Sequence, residues 1–393
     1  MRLAVLATHP VQYFAPVFRG LASAPDLEVR VFFGSPHGAR PALDPNFNAI
    51  FSWDSNPAEG FPVTFLSDTH LSGLSGLSGF FRGMMAALEI RNFKPDAVLV
   101  FGYLPSFISC ATVFLRLCVS CLMLRAETTD VALNRGVIKA AVRASILRLF
   151  YSQFNYVFPI GINSAAHYKR MGVPEERQLI ALYSIDVDYF DLQVKKWRPK
   201  RAKIRESLGI PDDAHVLLYC AKMSVPKNPT IIPEALAKLP PEMLSRVWLL
   251  AVGDGDLRGE FQELAEDVLP GKAIFVGFKN QSELGQYYSV ADTLVLPSQS
   301  GETWGLVVNE AIQFGLGVLV SDKVGCAPDL VVPYSAGRVF RSGSAESLSL
   351  ALLDALGSAG GARHNGVQLP HPRKFIDSIL EVLERGGRIT HAS

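Results

Sequence analysis

Twelve short apolar runs constrain the fold of this chain more than any other feature. Six lie in the first half, at residues 3–8, 29–34, 63–67, 97–102, 121–127 and 156–161. Six lie in the second, at 215–222, 247–255, 273–278, 293–298, 317–322 and 336–340. They are continuously apolar (LAVLAT, AVLVFG, TLVLPS, GVLVSD) rather than alternating. A strand of that kind is buried on both faces, as in a parallel sheet covered by helices above and below. Two such series predict an α/β protein of two Rossmann-like domains facing across a cleft, and 393 residues suffice for two ordinary cores. KKWRPKRAK (195–203) reads as a solvated basic connector, and LSGLSGLSG (71–79) and GSAGGARHNG (357–366) as loops. FIDSILEVLER (375–385) has the apolar spacing of an amphipathic helix.

A net charge of +1 argues against a dedicated nucleic-acid binder. The opening MRLAVLATHP is too short a run for a signal peptide and reads as the first strand. The 21 residues from Leu104 to Leu124 approach membrane-spanning length, but Arg116 interrupts them, so a buried helix and strand are expected. Five cysteines, an odd number, suggest reduced thiols in a cytoplasmic protein. Cys118 and Cys121 have the spacing of half a zinc site without a second half, and read as small buried hydrophobes.

The chemistry concentrates in PSQSGETWGLVVNEAIQFGLGVLVSDKVGCAPD (297–329). Glu302 and Glu310 stand eight residues apart around a turn, between a strand ending near Ser298 and a helix starting near Gly305. At about 3.6 residues per turn, Glu310 lies one and a half turns into that helix. Free N–H groups at the helix start suit an anion such as a diphosphate, between two acids that suit hydroxyls. A sugar nucleotide has that order of groups.

The pattern P-S-x3-E-x-W-G-x3-N-E-A-x3-G resembles the E-x7-E signature of retaining GT-B glycosyltransferases, specifically glycosyltransferase family 4. The resemblance implies that Glu302 contacts the donor sugar and Glu310 the ribose, with Thr303, Trp304, Gly305 and Leu306 along the donor. YCAKMSVPKNP is similar to the family's G-R-x3-E-K-G, with Lys222 and Lys227 at the cationic positions and Ala221, Pro226 and Asn228 as departures. Two cations there would clamp a diphosphate and stabilise it as it leaves. Gly253 opens a turn similar to V-G-x-G-x-x-R, and the base would lie near Gly277 and Phe278. The resemblance implies a nucleotide-binding domain at 188–372, an acceptor domain at 1–187, and a helix at 373–393 returning to the first domain.

Asp-x-Asp, a metal-binding spelling in some glycosyltransferases, occurs at Asp186/Asp188 and Asp254/Asp256. The first falls in an interdomain segment and the second in the glycine turn. Both read as structural, so neither a metal nor a cofactor is expected.

In the first half, His9, Gln12 and Tyr13 follow the first strand, either as acceptor or cleft contacts or as a helix start. Arg125 and Glu127 follow the fifth, where the family often carries a histidine that this chain lacks. Either could touch the sugar, or the two could pair. Residues 131–174 hold six basic side chains and no acid. Arg135, Lys139 and Arg143 recur every fourth residue, so 135–150 could lie on an anionic membrane or pack on the core with a solvated basic face.

The resulting expectation is a cytoplasmic, metal-independent, retaining transferase, peripheral at most to a membrane. It would move sugar from a nucleoside diphosphate to a carbohydrate or lipid-linked hydroxyl in glycan synthesis. A sugar-nucleotide epimerase, a phosphorylase and a non-catalytic scaffold of the same fold are the alternatives.

Overall fold

The computed structural model describes residues 1–39, 42–44, 49–51, 56–130, 137–357 and 369–390. The chain forms two units. One runs to Tyr183 and resumes at His371, and the other is chiefly Ser184–Pro370.

The first unit begins β1 (Arg2–Ala7), α1 (Ala15–Ala22), β2 (Glu28–Phe33) and a small antiparallel pair, β3 (Ala42–Asp44) and β4 (Ala49–Phe51). It continues with β5 (Val63–Phe65), α2 (Gly76–Asn92), β6 (Ala97–Phe101), α3 (Ser106–Arg116) and β7 (Cys121–Arg125). After α4 (Val137–Tyr151), β8 (Tyr156–Val157) and α5 (Ile162–Arg170) close the sheet, whose order is β5-β2-β1-β6-β7-β8. All its pairings are parallel. Side chains alternate across the pleat. Ala4, Leu6, Val98 and Leu122 meet α2, α3 and α4 on one face, while Leu3, Val5, Val31 and Met123 meet α1 on the other.

The second unit holds α6 (Val187–Trp197), α7 (Arg201–Ser207), β9 (His215–Cys220), α8 (Ile231–Leu236), α9 (Pro241–Leu244), β10 (Val247–Val252) and α10 (Arg258–Val268). Then come β11 (Ala273–Gly277), α11 (Gln281–Val290), β12 (Thr293–Leu296), α12 (Leu306–Gln313), β13 (Gly317–Ser321), β14 (Gly337–Phe340) and α13 (Ala345–Gly357). The sheet order, β11-β10-β9-β12-β13-β14, repeats that of the first unit, again all parallel. All twelve apolar runs therefore supply the twelve strands of the two sheets. The final helix, α14 (Pro372–Thr390), packs on the α1 side of the first sheet through buried Phe375, Ile379, Val382 and Leu383. Gly20 of α1 leaves the space that Ile376 fills.

Several expectations need correction. Residues 71–79 are not a loop: Leu71–Leu74 is a 3-10 turn and Gly79 lies within α2. The Oγ of Ser106 ties the segment down by donating to the Gly76 carbonyl at 2.8 Å. Residues 195–203 are helical rather than a connector; the four lysines are exposed, as a solvated run requires, and two arginines are clamped. Arg201 donates to the carbonyls of Ser289 (2.7 Å) and Ala291 (2.9 Å) and pairs with Asp292 (2.6 Å), while Arg198 binds the Phe314 carbonyl. Arginine's forked donors explain why these two, unlike the exposed lysines of the run, are spent on carbonyls. Cys118, expected inside, is exposed just beyond α3, whereas Cys110, Cys220 and Cys326 are buried. The span 104–124 is α3 and β7, and no described helix is long and apolar enough to cross a membrane. Gly357 ends α13, and residues 358–366 lie outside the described residues.

Candidate active site

In the second sheet the strand order reverses between β9 and β12, and a doubly wound sheet offers a crevice just beyond the carboxyl ends of two such strands. Lys222 and Lys227 lie on the loop after β9, and Glu302 lies on the loop after β12. The two loops are stitched together. The Gln299 amide donates to the Pro226 carbonyl at 2.8 Å, and Lys227 Nζ forms an ion pair with Glu302 Oε2. Buried Ser298 donates its hydroxyl to the same carboxylate oxygen at 2.8 Å. Asn228 has φ +48°, a left-handed conformation that asparagine tolerates. Lys222 is half-buried, its carbonyl held by the Tyr219 hydroxyl at 2.9 Å.

Gly305, at φ +100°, caps α12 without a side-chain acceptor; the Val308 amide donates back to its carbonyl at 2.9 Å, and no side chain caps the amides of Leu306 and Val307. Gly325 lets the 302–304 loop pass against it, since a Cβ there would strike the Thr303 carbonyl. Its amide donates to the Glu302 carbonyl at 3.1 Å, and the Cys326 amide donates to that of Trp304 at 2.9 Å. Glu302 is thus held by its backbone and by its carboxylate. Thr303 and Leu306 are half-exposed at the helix start. The Trp304 indole is buried and its Nε1 donates to Asn309 Oδ1 at 2.9 Å, so the side chain is the wedge beneath the turn and leaves the backbone for a donor contact.

Glu310 has no exposed surface, and the Tyr288 hydroxyl donates to its Oε2 at 2.7 Å. Cys220, at the end of β9, lies beside it. Burial first and the Glu310 charge second push that thiol up to about 12. Glu310 is thus at the root of the crevice, on the side of α12 that faces the sheet.

The glycine turn braces the lysine loop. Gly253 and Gly255 have φ of +131° and +148°, and a Cβ on either would strike the carbonyl of Ala221 or Met223. The Gly253 amide donates to the Gly277 carbonyl at 2.9 Å, which brings the end of β11 alongside, and Phe278 projects there half-exposed. Both Asp-x-Asp spellings have structural work. Asp254 accepts from the Gly255 amide (2.8 Å) and Arg258 (2.7 Å), and Asp186 caps α6 by accepting from the Tyr189 amide (3.1 Å). Among the described residues no group of three His, Cys, Asp or Glu is arranged to hold a metal.

In the first unit Arg125 is not a cleft residue. It is buried, with Nη1 donating to the carbonyls of Phe158 (3.1 Å), Pro159 (3.2 Å) and Ala181, and it stacks on Phe375 at 4.6 Å. Burial lowers its pKa to about 10. The cause is position: it is the last residue of a strand inside the sheet. Glu127 is exposed and hydrogen-bonds Tyr183, whose hydroxyl burial and then Glu127 hold well above the usual range. His9, Gln12 and Tyr13 lie at the end of β1, with His9 Nδ1 2.8 Å from Thr8 Oγ1 and Gln12 Oε1 buried without a partner. His9 is one of three histidines in edge contact, 5.7 Å from His37, which is 5.3 Å from His70. Sequence reading missed His37, His70, Ser298 and Tyr288. The histidines were detectable only as residues each placed shortly after a strand.

Residues 200–365 match the family model described as glycosyl transferases group 1. The matched stretch is similar to that family and covers less than half of the chain. The lipopolysaccharide 1,2-N-acetylglucosaminetransferase of Salmonella typhimurium is 31% identical over 159 residues, which is 38% of this chain and 41% of that relative. The match therefore spans well under half of either protein. Anabaena HepE, solved with UDP and glucose, superposes with TM-score 0.70 over 98% of this chain and all of its own, at 15% identity. UDP-GlcNAc 2-epimerase from Neisseria meningitidis, bound to UDP-GlcNAc, gives 0.62 over 98% of this chain and all of its own, at 14% identity. These likenesses establish the fold, GT-B, around the matched stretch. They leave the reaction to be argued from the site.

Proposed function

We propose that the protein is a retaining, metal-independent glycosyltransferase that moves a sugar from a nucleoside diphosphate to a carbohydrate or lipid-linked hydroxyl. The observation that carries this reading is the Lys227–Glu302–Ser298 cluster at the point where the sheet order reverses, beside the uncapped start of α12.

The diphosphate would lie on the α12 amides, with Lys222 and Lys227 neutralising the charge that grows as the anomeric bond breaks. Those two cations supply in the protein what a divalent ion supplies elsewhere. Glu302, fixed by Ser298 and Lys227, would accept hydrogen bonds from sugar hydroxyls. Ribose hydroxyls would take the place of the Tyr288 hydroxyl as donors to Glu310. Phe278 offers a face for the base. The acceptor oxygen would attack on the side the diphosphate leaves, passing its proton to the departing phosphate, which gives retention without an enzymatic nucleophile. His9, Gln12, Tyr13 and Glu127 are the acceptor-side candidates of the first unit. Membrane contact through 135–150 would go with a lipid-linked acceptor. Arg143 of that stretch already donates to the Tyr103 hydroxyl at 2.8 Å, and Arg135 lies outside the described residues.

The test is calorimetric titration with UDP, GDP, ADP, CDP and dTDP in EDTA, on the wild type and on Glu302→Ala and Glu310→Ala. Micromolar binding of one nucleotide, weakened by Glu310→Ala, supports the donor site. Absence of binding to all five would overturn it. Product analysis with the matching sugar nucleotide separates transfer from epimerisation.

A further inference from the structure

Helix α2 is packed inside out. Its buried positions are the small ones, Gly79, Gly83, Ala86 and Ala87, with Ile90 as the only large residue among them. A Cβ at Gly83 would strike the Phe107 carbonyl, so α2 and α3 approach as closely as small residues allow. Close packing through small-x-x-x-small faces is the habit of helices surrounded by lipid. The large apolar residues point the other way. Leu77 (80% exposed), Phe81 (58%), Met85 (60%) and Leu88 (47%) follow one another at three- and four-residue steps, a single stripe down the outer side. A helix facing water carries the reverse arrangement. The stripe continues into a cleft of about 490 Å³ between α2 and the edge strand β5. Ile146 and Leu149 of α4 are likewise exposed, in the same layer of helices.

Charge identifies the occupant. Helices α2, α3 and α4 hold six Lys and Arg against the single acid Glu89, in a chain whose totals are 38 and 37. A second copy docking by this face would set like charge against like. An anionic lipid surface complements both the stripe and the cations. We propose that the outer face of α2, extended by α4, docks on an anionic membrane, with the stripe entering the acyl boundary and Arg82, Arg91 and Arg148 on headgroup phosphates. This docking enlarges the membrane contact proposed above for 135–150, and flotation tests it apart from the transfer reaction.

The test is flotation of the full chain with vesicles of phosphatidylcholine, alone or mixed with phosphatidylglycerol, at low and high salt. The chain is expected to float with the mixed vesicles only, and less as salt rises. Phe81→Ser/Met85→Ser is expected to weaken partitioning by at least about tenfold, since each removes apolar contact with the lipid. Arg82→Glu/Arg91→Glu should weaken it as well. These side chains are exposed, so thermal melting by circular dichroism should match the wild type. Failure to float at low salt, or unchanged flotation of the serine variant, would overturn the proposal. So would a dimer in light scattering that the serine variant dissolves, because the stripe would then be a protein interface.

Discussion

Tyr288 donates its hydroxyl to Glu310 at 2.7 Å with both side chains fully buried, so the second acid of the site is already paired before any ligand arrives. Tyr288→Phe removes the donor and leaves a buried carboxylate oxygen short of one partner. A loss of about 1–3 kcal/mol is expected in urea denaturation. If ribose hydroxyls take the vacated position, the best-binding nucleotide should stabilise the variant more than it stabilises the wild type. Equal stabilisation of both would remove Glu310 from the ribose.

Lys227 and Glu302 meet across two loops, so they are expected to act as one unit. Lys227→Ala should lower kcat by about 10²–10³-fold, the usual effect of deleting one stabiliser of a developing anion. Glu302→Ala should chiefly lower kcat, and the double variant should lose less than the product of the two single losses. Independent, multiplicative losses measured by steady-state kinetics would mean that the ion pair has no part in turnover.

Arg125 gives the contrasting case. It holds the carbonyls of Phe158, Pro159 and Ala181 from inside the first unit. Arg125→Met leaves them without that donor, and a loss of at least about 3 kcal/mol is expected in denaturant melts. Turnover per folded molecule should stay near the wild-type value. A selective fall in turnover at full stability would return Arg125 to the site.

His9 and His167 are both lowered from 6.5 to about 4, chiefly by burial. A histidine whose folded pKa lies below its unfolded value favours the folded state less as pH falls. The unfolded chain takes up protons below about 6.5 that the folded one refuses until about 4. Thermal stability is therefore expected to decline across that window, and His167→Gln should flatten the decline. An unchanged slope in the variant would show that His167 is not the titrating group.

The strands were legible because each is continuously apolar and bounded by turn residues, and the two acids because one stands on the turn before α12 and the other within that helix. Trp304, Arg125 and α2 were not. Which way Arg125 points depends on a carbonyl far away in sequence, that of Ala181, and which way Trp304 points depends on the turn at Gly305 that brings the nearby Asn309 amide within reach. The three glycines of 71–79 suggest a loop until Ser106 arrives to use the space at Gly79 and to bond the Gly76 carbonyl. Tertiary contact decided Arg125 and α2, and local pattern carries no record of it.

The return of α14 to the first sheet has a consequence for synthesis. Phe375, Ile379, Val382 and Leu383 cover a face that the earlier residues cannot cover for themselves. The unit that leaves the ribosome first is thus the last to be completed. Meanwhile the second unit, inserted between Tyr183 and His371, carries its whole sheet on one uninterrupted stretch of chain. Nascent chains stalled before residue 372 should hold a protease-resistant second unit tethered to an unfinished first one.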